Sequence, residues 1–166
     1  MAVRPVVRYP APVLKLPAEE MGEPTDEHRA LAGDLVDTMR AGPATVGLAA
    51  PQIGVSMRAF CLDVSGHPKA RTSHGLIVLL DPVVVEVQAE DVLREGCLSV
   101  PDLTANVRRA VRAVVRGTAP DGERRVYQME GFEARALQHE LDHLDGRLIL
   151  DRVESAADVF PRKVYG

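Results

Sequence analysis

Apolar and polar positions recur with two different periods along this chain, and the change from one to the other divides it into helical and extended stretches. Leu31, Leu35 and Met39 return at helical spacing. Thr25 stands ahead of them as a cap, Asp26 and Glu27 fall in the first turn, and Arg40 lies near the end before Gly42. That charge order suits the helix dipole, so a first helix is predicted there. From about Met57 the period shortens. Ala59 to Val64 reads as a mostly buried strand, and Leu76–Leu80 and Val83–Val87 flank an Asp81-Pro82 break, where proline removes a ladder donor. Val107 to Arg116 alternates apolar and basic side chains, with Val111, Ala113 and Val115 facing one way. Asp121-Gly122 is a hairpin turn signal before a strand from Arg124 to Met129. A second helix is predicted from about Phe132 to Leu144, with a stripe of Phe132, Ala136, Leu137, Leu141 and Leu144 and with Gly146 placed to end it. Leu148, Ile149 and Leu150 predict one more strand. A run of strands between two separated helices predicts an α+β fold with antiparallel sheets rather than a βαβ repeat.

Length and composition narrow the class. The 166 residues suit one domain spanning 1–166, and 46% hydrophobic with 27% charged residues excludes wholesale disorder. Aromatics make up only 4%, so the core must rest on Val, Leu, Ile and Ala. A net charge of −4 argues against a general phosphate-binding surface and hence against direct nucleic-acid binding. Arg108, Arg109, Arg112 and Arg116 cluster locally and read as a solvated strand face. Two cysteines, Cys61 and Cys97, do not make a disulfide framework, which points to a reduced compartment. The first fifteen residues hold no sustained apolar stretch, and the longest apolar run, Leu76 to Leu80, cannot span a bilayer. The expectation is a cytoplasmic protein with no membrane association.

The sharpest chemical signal lies inside the second predicted helix, at His139-Glu140-Leu141-Asp142-His143. Residues four apart sit one turn above each other, so both imidazoles can reach a single cation. Glu140 is turned about 100° around the axis, beside such an ion. There it can take a proton from an attacking water, the arrangement that metal-assisted hydrolysis requires. A polar helix face is the plain alternative, but Leu141 and Leu144 bury this helix, and buried imidazoles need partners. A catalytic site also wants a third protein ligand. Cys61 lies mid-strand and reads as core. Cys97 lies in the irregular segment Glu95-Gly96-Cys97-Leu98-Ser99-Val100-Pro101, where ligand and ordinary loop thiol are both open readings.

Three segments together resemble the peptide deformylase family: Gly47-Leu48-Ala49-Ala50-Pro51-Gln52-Ile53-Gly54, Glu95 to Ser99, and Gln138-His139-Glu140-Leu141-Asp142-His143-Leu144. They occur in the family's order, and the likeness runs from Arg8-Tyr9-Pro10 to Gly146 and Leu148. The resemblance implies antiparallel sheets packed around a central helix that carries the HExxH site. It implies removal of the formyl group from the N-terminal methionine of nascent polypeptides, with release of formate. Cys97, His139 and His143 would bind the ion, commonly ferrous iron, with zinc, nickel or cobalt able to replace it. Glu140 would be the general base and then the acid for the leaving amine. The Gln52 amide and the Leu98 backbone N–H would stabilise the oxyanion. The backbones of Val46 and Gly96 would hold the methionine, and Gly47 and Gly96 leave room for a peptide to approach. Read alone, Gln52 would be a loop glutamine facing water. Glu95 could anchor the loop or be exposed.

The chain departs from the family pattern in places. Thr45 occupies the place of a usual glycine, where its side chain would narrow or stiffen the cleft. Asp81 replaces a usual asparagine, with no consequence evident from sequence. About twenty residues follow Gly146, up to Phe160-Pro161-Arg162-Lys163-Val164-Tyr165-Gly166, without the long helix that some bacterial members dock on the ribosome. A transient ribosome contact is therefore expected without that docking mode. Two rivals are a zinc peptidase with the same helix, which would want a histidine or carboxylate as third ligand, and a binding protein whose structural metal site closes with four ligands. For the latter, Cys61, His28, His67 and His74 offer no convincing spacing, and Glu140 would have no use.

Overall fold

The computed structural model of the chain describes residues 2–163. The expected first helix, α1 (Asp26–Ala41), starts where Thr25 accepts from the backbone N–H of His28 at 3.2 Å. Its Leu31, Leu35 and Met39 pack against β1 (Gly47–Ala49) and β2 (Ala59–Leu62). The remaining strands are β3 (Ile77–Cys97), β4 (Val100–Thr118), β5 (Arg124–Glu130) and the short β6 (Val159–Pro161). They form one antiparallel sheet in the order β1-β2-β3-β4-β5, with β6 on β4. The expected sheets are thus a single continuous one, with β1 at its edge. The second helix, α2 (Gly131–Leu144), packs on β1, β2, β4 and β5. Ala134, Leu137 and Leu144 lock it to Phe60, Leu62, Leu79 and Val115, so the metal-type motif runs through the core.

Three expectations need correction. The Asp81-Pro82 break is a bulge within one 21-residue strand. Asp81 takes a positive φ of 48°, which its short polar side chain tolerates, and its carboxylate accepts from the N–H groups of Met21 and Gly22 at 2.8 and 2.9 Å. Those bonds give Asp81 the role that the sequence left blank. Leu148 to Leu150 is not a strand, because Ile149–Asp151 forms a 3₁₀ turn closed by the Asp151 carboxylate on the Leu148 N–H at 2.8 Å. Three apolar residues mark burial, not backbone type. Third, Arg109 does not belong to a solvated face. It shares the inward parity of Val107, Ala113 and Val115, and it is only 4% exposed.

Beyond Leu80, β3 parts from β2 and, among the described residues, pairs only with β4. This leaves the edge from 83 to 97 open. The hairpin reverses at Leu98-Ser99, since Cys97 pairs directly with Val100. Cys97 therefore ends a strand at a tight turn; the expected irregular loop is ordered ladder. Among the described residues no helix is long and apolar enough to cross a membrane. Residues 164–166 of the C-terminal stretch lie outside the description.

Candidate active site

α2 delivers His139 and His143 one turn apart, and the end of β3 brings Cys97 across to them. The ligand atoms of these three residues all lie within 4.8 Å of one another, with the Cys97 sulfur 3.4 Å from His143 Nε2. Ligands on one tetrahedral ion at bond lengths of ~2.0–2.3 Å would stand somewhat under ~4 Å apart, so the cluster fits a common cation. Cys61, by contrast, is fully buried beside Met39, 3.6 Å between sulfurs, and burial pushes its thiol well above the ordinary cysteine range. His28 caps α1, His67 stacks on Phe132 and His74 binds Glu133, so none of these joins the cluster.

The electrostatics favour positive charge at this point. Burial would discharge His139, yet the Cys97 sulfur and the Glu95 carboxylate outweigh it and raise its pKa. A divalent cation among the same donors would satisfy that pull. Burial, helped by the charges of His139 and Arg109, holds His143 well below its usual pKa and leaves a free lone pair for ligation. Its Nδ1 is buried and makes no hydrogen bond among the described residues.

Glu95 is buried, which settles the choice between anchor and exposed residue. Its Oε1 meets His139 Nδ1 at 2.9 Å, turning Nε2 toward the cluster. Its oxygens also accept from Arg109 at 2.9 and 3.0 Å and from Arg135 at 2.7 Å. Burial alone would raise this carboxyl, but the bonds from His139 and Arg109 hold it well below the usual range. Arg109 reaches on to Asp142 at 2.5 Å, and Asp142 in turn accepts from Arg152. Sequence reasoning missed Arg109, Asp142 and Arg135 as supports of the ligand helix. The available signal was parity: Arg109 is the one arginine of its cluster in register with the inward apolar residues.

Gln52 is 2% exposed and not a loop glutamine facing water. Its Oε1 accepts from the Ala49 N–H at 3.0 Å, which fixes the flip of the amide. The amide nitrogen then faces Ser99 Oγ at 3.2 Å and the Cys97 sulfur at 3.9 Å. Leu98 occupies the turn just after Cys97. Glu140 is buried, with Oε1 making no hydrogen bond among the described residues, and burial pushes its carboxyl up to about 7. Gly47 lies against it: a Cβ there would stand 2.5 Å from Glu140 Oε2. The Val46 carbonyl accepts from the Asp63 N–H at 2.8 Å, while its own N–H makes no hydrogen bond among the described residues. Val46 can thus offer a peptide its N–H more readily than its carbonyl. Gly96 pairs with Thr104 on the open β3 edge. An open cleft runs past Thr45, Val46, Gly47, Gln52, Gly96 and Glu140 to the cysteine-histidine cluster.

Cys97, His139 and His143 form a cluster that could hold a metal ion, and with a desolvated carboxylate and a fixed amide donor beside it the arrangement suits metal-assisted hydrolysis of an amide. Comparison with known proteins carries this to a family. A family model described as polypeptide deformylase matches residues 3–158. The chain is 44% identical over 165 residues to a peptide deformylase of Desulforudis audaxviator, covering 98% of this chain and 99% of that protein. It is 43% identical over 154 residues to that of Acidothermus cellulolyticus, covering 93% of this chain and 81% of that one. Among solved structures it resembles the Ehrlichia chaffeensis peptide deformylase in complex with actinonin, with a TM-score of 0.86, 32% identity, and 93% and 91% of the two chains covered. It also resembles the Met-Ala-Ser-bound class I type b enzyme of Acinetobacter baumannii, with a TM-score of 0.82, 33% identity, and 92% and 99% covered. The chain belongs to the peptide deformylase family, metal-dependent enzymes that remove the formyl group from N-formylmethionyl polypeptides.

Proposed function

We propose that residues 1–166 act as one catalytic domain in which Cys97, His139 and His143 hold a single divalent ion, ferrous iron natively, with zinc, nickel or cobalt able to take its place. When bound, the ion supplies Lewis acidity toward the formyl oxygen and lowers the pKa of water. Glu140 takes the proton of the attacking water at its carboxylate and passes it to the amine as the C–N bond breaks, so formate leaves beside a free amino terminus. Burial pushes this carboxyl up, and a cation held beside it would draw it back toward the ionised form that accepts the proton. The Gln52 amide nitrogen and the Leu98 N–H donate to the oxyanion, and one such donor is worth about 3 kcal/mol in the transition state. The Val46 N–H and the Gly96 backbone hold the methionine as an added strand, and Gly47 leaves the room that the base and the peptide share. Substrates emerge from ribosomes, so the reaction belongs in the cytoplasm with at most transient ribosome contact.

The observation that supports these roles best is the Gln52 amide, buried and pinned by Ala49 so that its donor end faces the Cys97 sulfur. The test is formate release from formyl-Met-Ala-Ser by anaerobically purified protein, with acetyl-Met-Ala-Ser as control. Turnover of the formyl peptide should track bound metal, and Gln52→Ala should lower kcat ~10²- to 10³-fold with metal retained. Equal rates on both peptides, or a Gln52→Ala enzyme of undiminished kcat, would overturn the assignment.

A further inference from the structure

The strand β6 ties the C-terminal segment to the rim of the cleft. Thr104 of β4 pairs with Phe160, Leu103 pairs with Pro161, and the Arg162 N–H donates to the Asp102 carbonyl at 2.9 Å. This lays the Arg162 side chain over Gly96: a Cβ built on Gly96 would stand 2.6 Å from Arg162 Nη2 and 3.2 Å from its Cζ. Arg162 is exposed, lines the cleft, and makes neither an ion pair nor a side-chain hydrogen bond among the described residues. Its neighbour Arg94 is already engaged, stacked 3.6 Å over the Phe160 ring. A guanidinium with five unused donors therefore hangs beside the residue that precedes the Cys97 ligand.

We propose that Arg162 is a specificity-determining residue that binds a carboxylate on the substrate residue following the methionine. The assignment rests on the deformylase reading and on a peptide lying along the β3 edge at Gly96. Side chains alternate faces along a strand. Glu95 and Cys97 turn inward, so the face at Gly96 is the opposite one, and Arg162 covers it. A peptide paired with that edge sends its methionine inward and the next side chain toward Arg162. Planar forked donors match a carboxylate in two parallel hydrogen bonds, where a neutral amide offers one acceptor only. The carboxylate can come from an aspartate or glutamate side chain in a nascent chain, or from the free terminus of a formyl dipeptide.

The test compares kcat/KM on formyl-Met-Asp-Ser-amide against formyl-Met-Asn-Ser-amide, and on formyl-Met-Ala as free acid against its amide. Each pair is run with the parent enzyme, Arg162→Ala, Arg162→Lys and Arg94→Ala. The parent should favour the anionic member ~5-fold, expressed in KM and weakened by salt, as befits an exposed ion pair. Arg162→Ala should bring the ratio to near 1, with Arg162→Lys in between. A preference for Asp over Asn without one for the free acid assigns the site to side chains; the reverse assigns it to peptide termini. Turnover with no anionic preference in either pair, or a preference that survives Arg162→Ala and vanishes in Arg94→Ala, overturns the proposal while leaving the deformylase reading intact. No turnover of the neutral peptides would sink that reading instead.

Discussion

Replacing Glu140 by Gln separates the chemistry of this carboxylate from its cost to the fold. In the metal-stripped protein the carboxyl titrates near 7, against an ordinary value of 4.5, chiefly because burial penalises its charge. An acid whose pKa is higher folded than unfolded binds its proton more tightly in the native state. Stability is then full below about pH 4 and falls as pH rises toward 7, by about 3 kcal/mol in all. Gln has nearly the same shape and no charge to desolvate. The stability gap between Glu140→Gln and the parent should therefore grow in the variant's favour by about 3 kcal/mol between pH 4 and pH 8. Urea unfolding of both metal-stripped proteins at the two pH values measures it. The metal-loaded variant should bind its ion yet lose ~10²- to 10⁴-fold in kcat, the usual worth of a general base. A gap that does not change with pH would show the carboxylate to be hydrated. A variant turning over near the parent rate would remove Glu140 from the proton transfer.

Arg109→Leu leaves Glu95 and Asp142 as buried carboxylates short of a partner, so it should cost about 3–5 kcal/mol. Calorimetry should register that as a fall in Tm on the order of 10 °C, and a drop under 2 °C would show that the network is dispensable. Gly47→Ala drives a methyl group to 2.5 Å from Glu140 Oε2, and displacing the base by about 1 Å should lower kcat/KM ~10²-fold. Unchanged formate release would mean that the carboxylate moves aside without penalty. Asp81→Ala removes the acceptor of the Met21 and Gly22 N–H groups and puts alanine at a φ of 48°, so it should destabilise by about 2–4 kcal/mol with the metal content unaltered. Denaturant midpoints and metal analysis together check both halves.

Local periodicity and short motifs carried much of this protein on their own. The two helices follow from apolar spacing with capping and terminating residues, because helix formation answers to neighbours three and four positions away. The HExxH pair is legible for the same reason: one helical turn suffices to bring two imidazoles together. Glu140 as the group beside them follows equally from helix geometry. What lay beyond local reach were contacts between residues far apart in the chain. Cys97 meets His143 only because a 21-residue strand ends where α2 passes beneath it, and no spacing rule joins positions 46 residues apart. Gln52 looked like a surface amide until the turn after β1 folded it under Ser99. Arg109 read as solvated because composition masked its parity, and its role depends on Glu95 and Asp142 arriving from β3 and α2. Burial of charge is a property of the packed sheet and helix, since desolvation and its compensation are set by whatever surrounds a group in space. The same holds for Arg162, which reaches the cleft only because β6 pairs with β4.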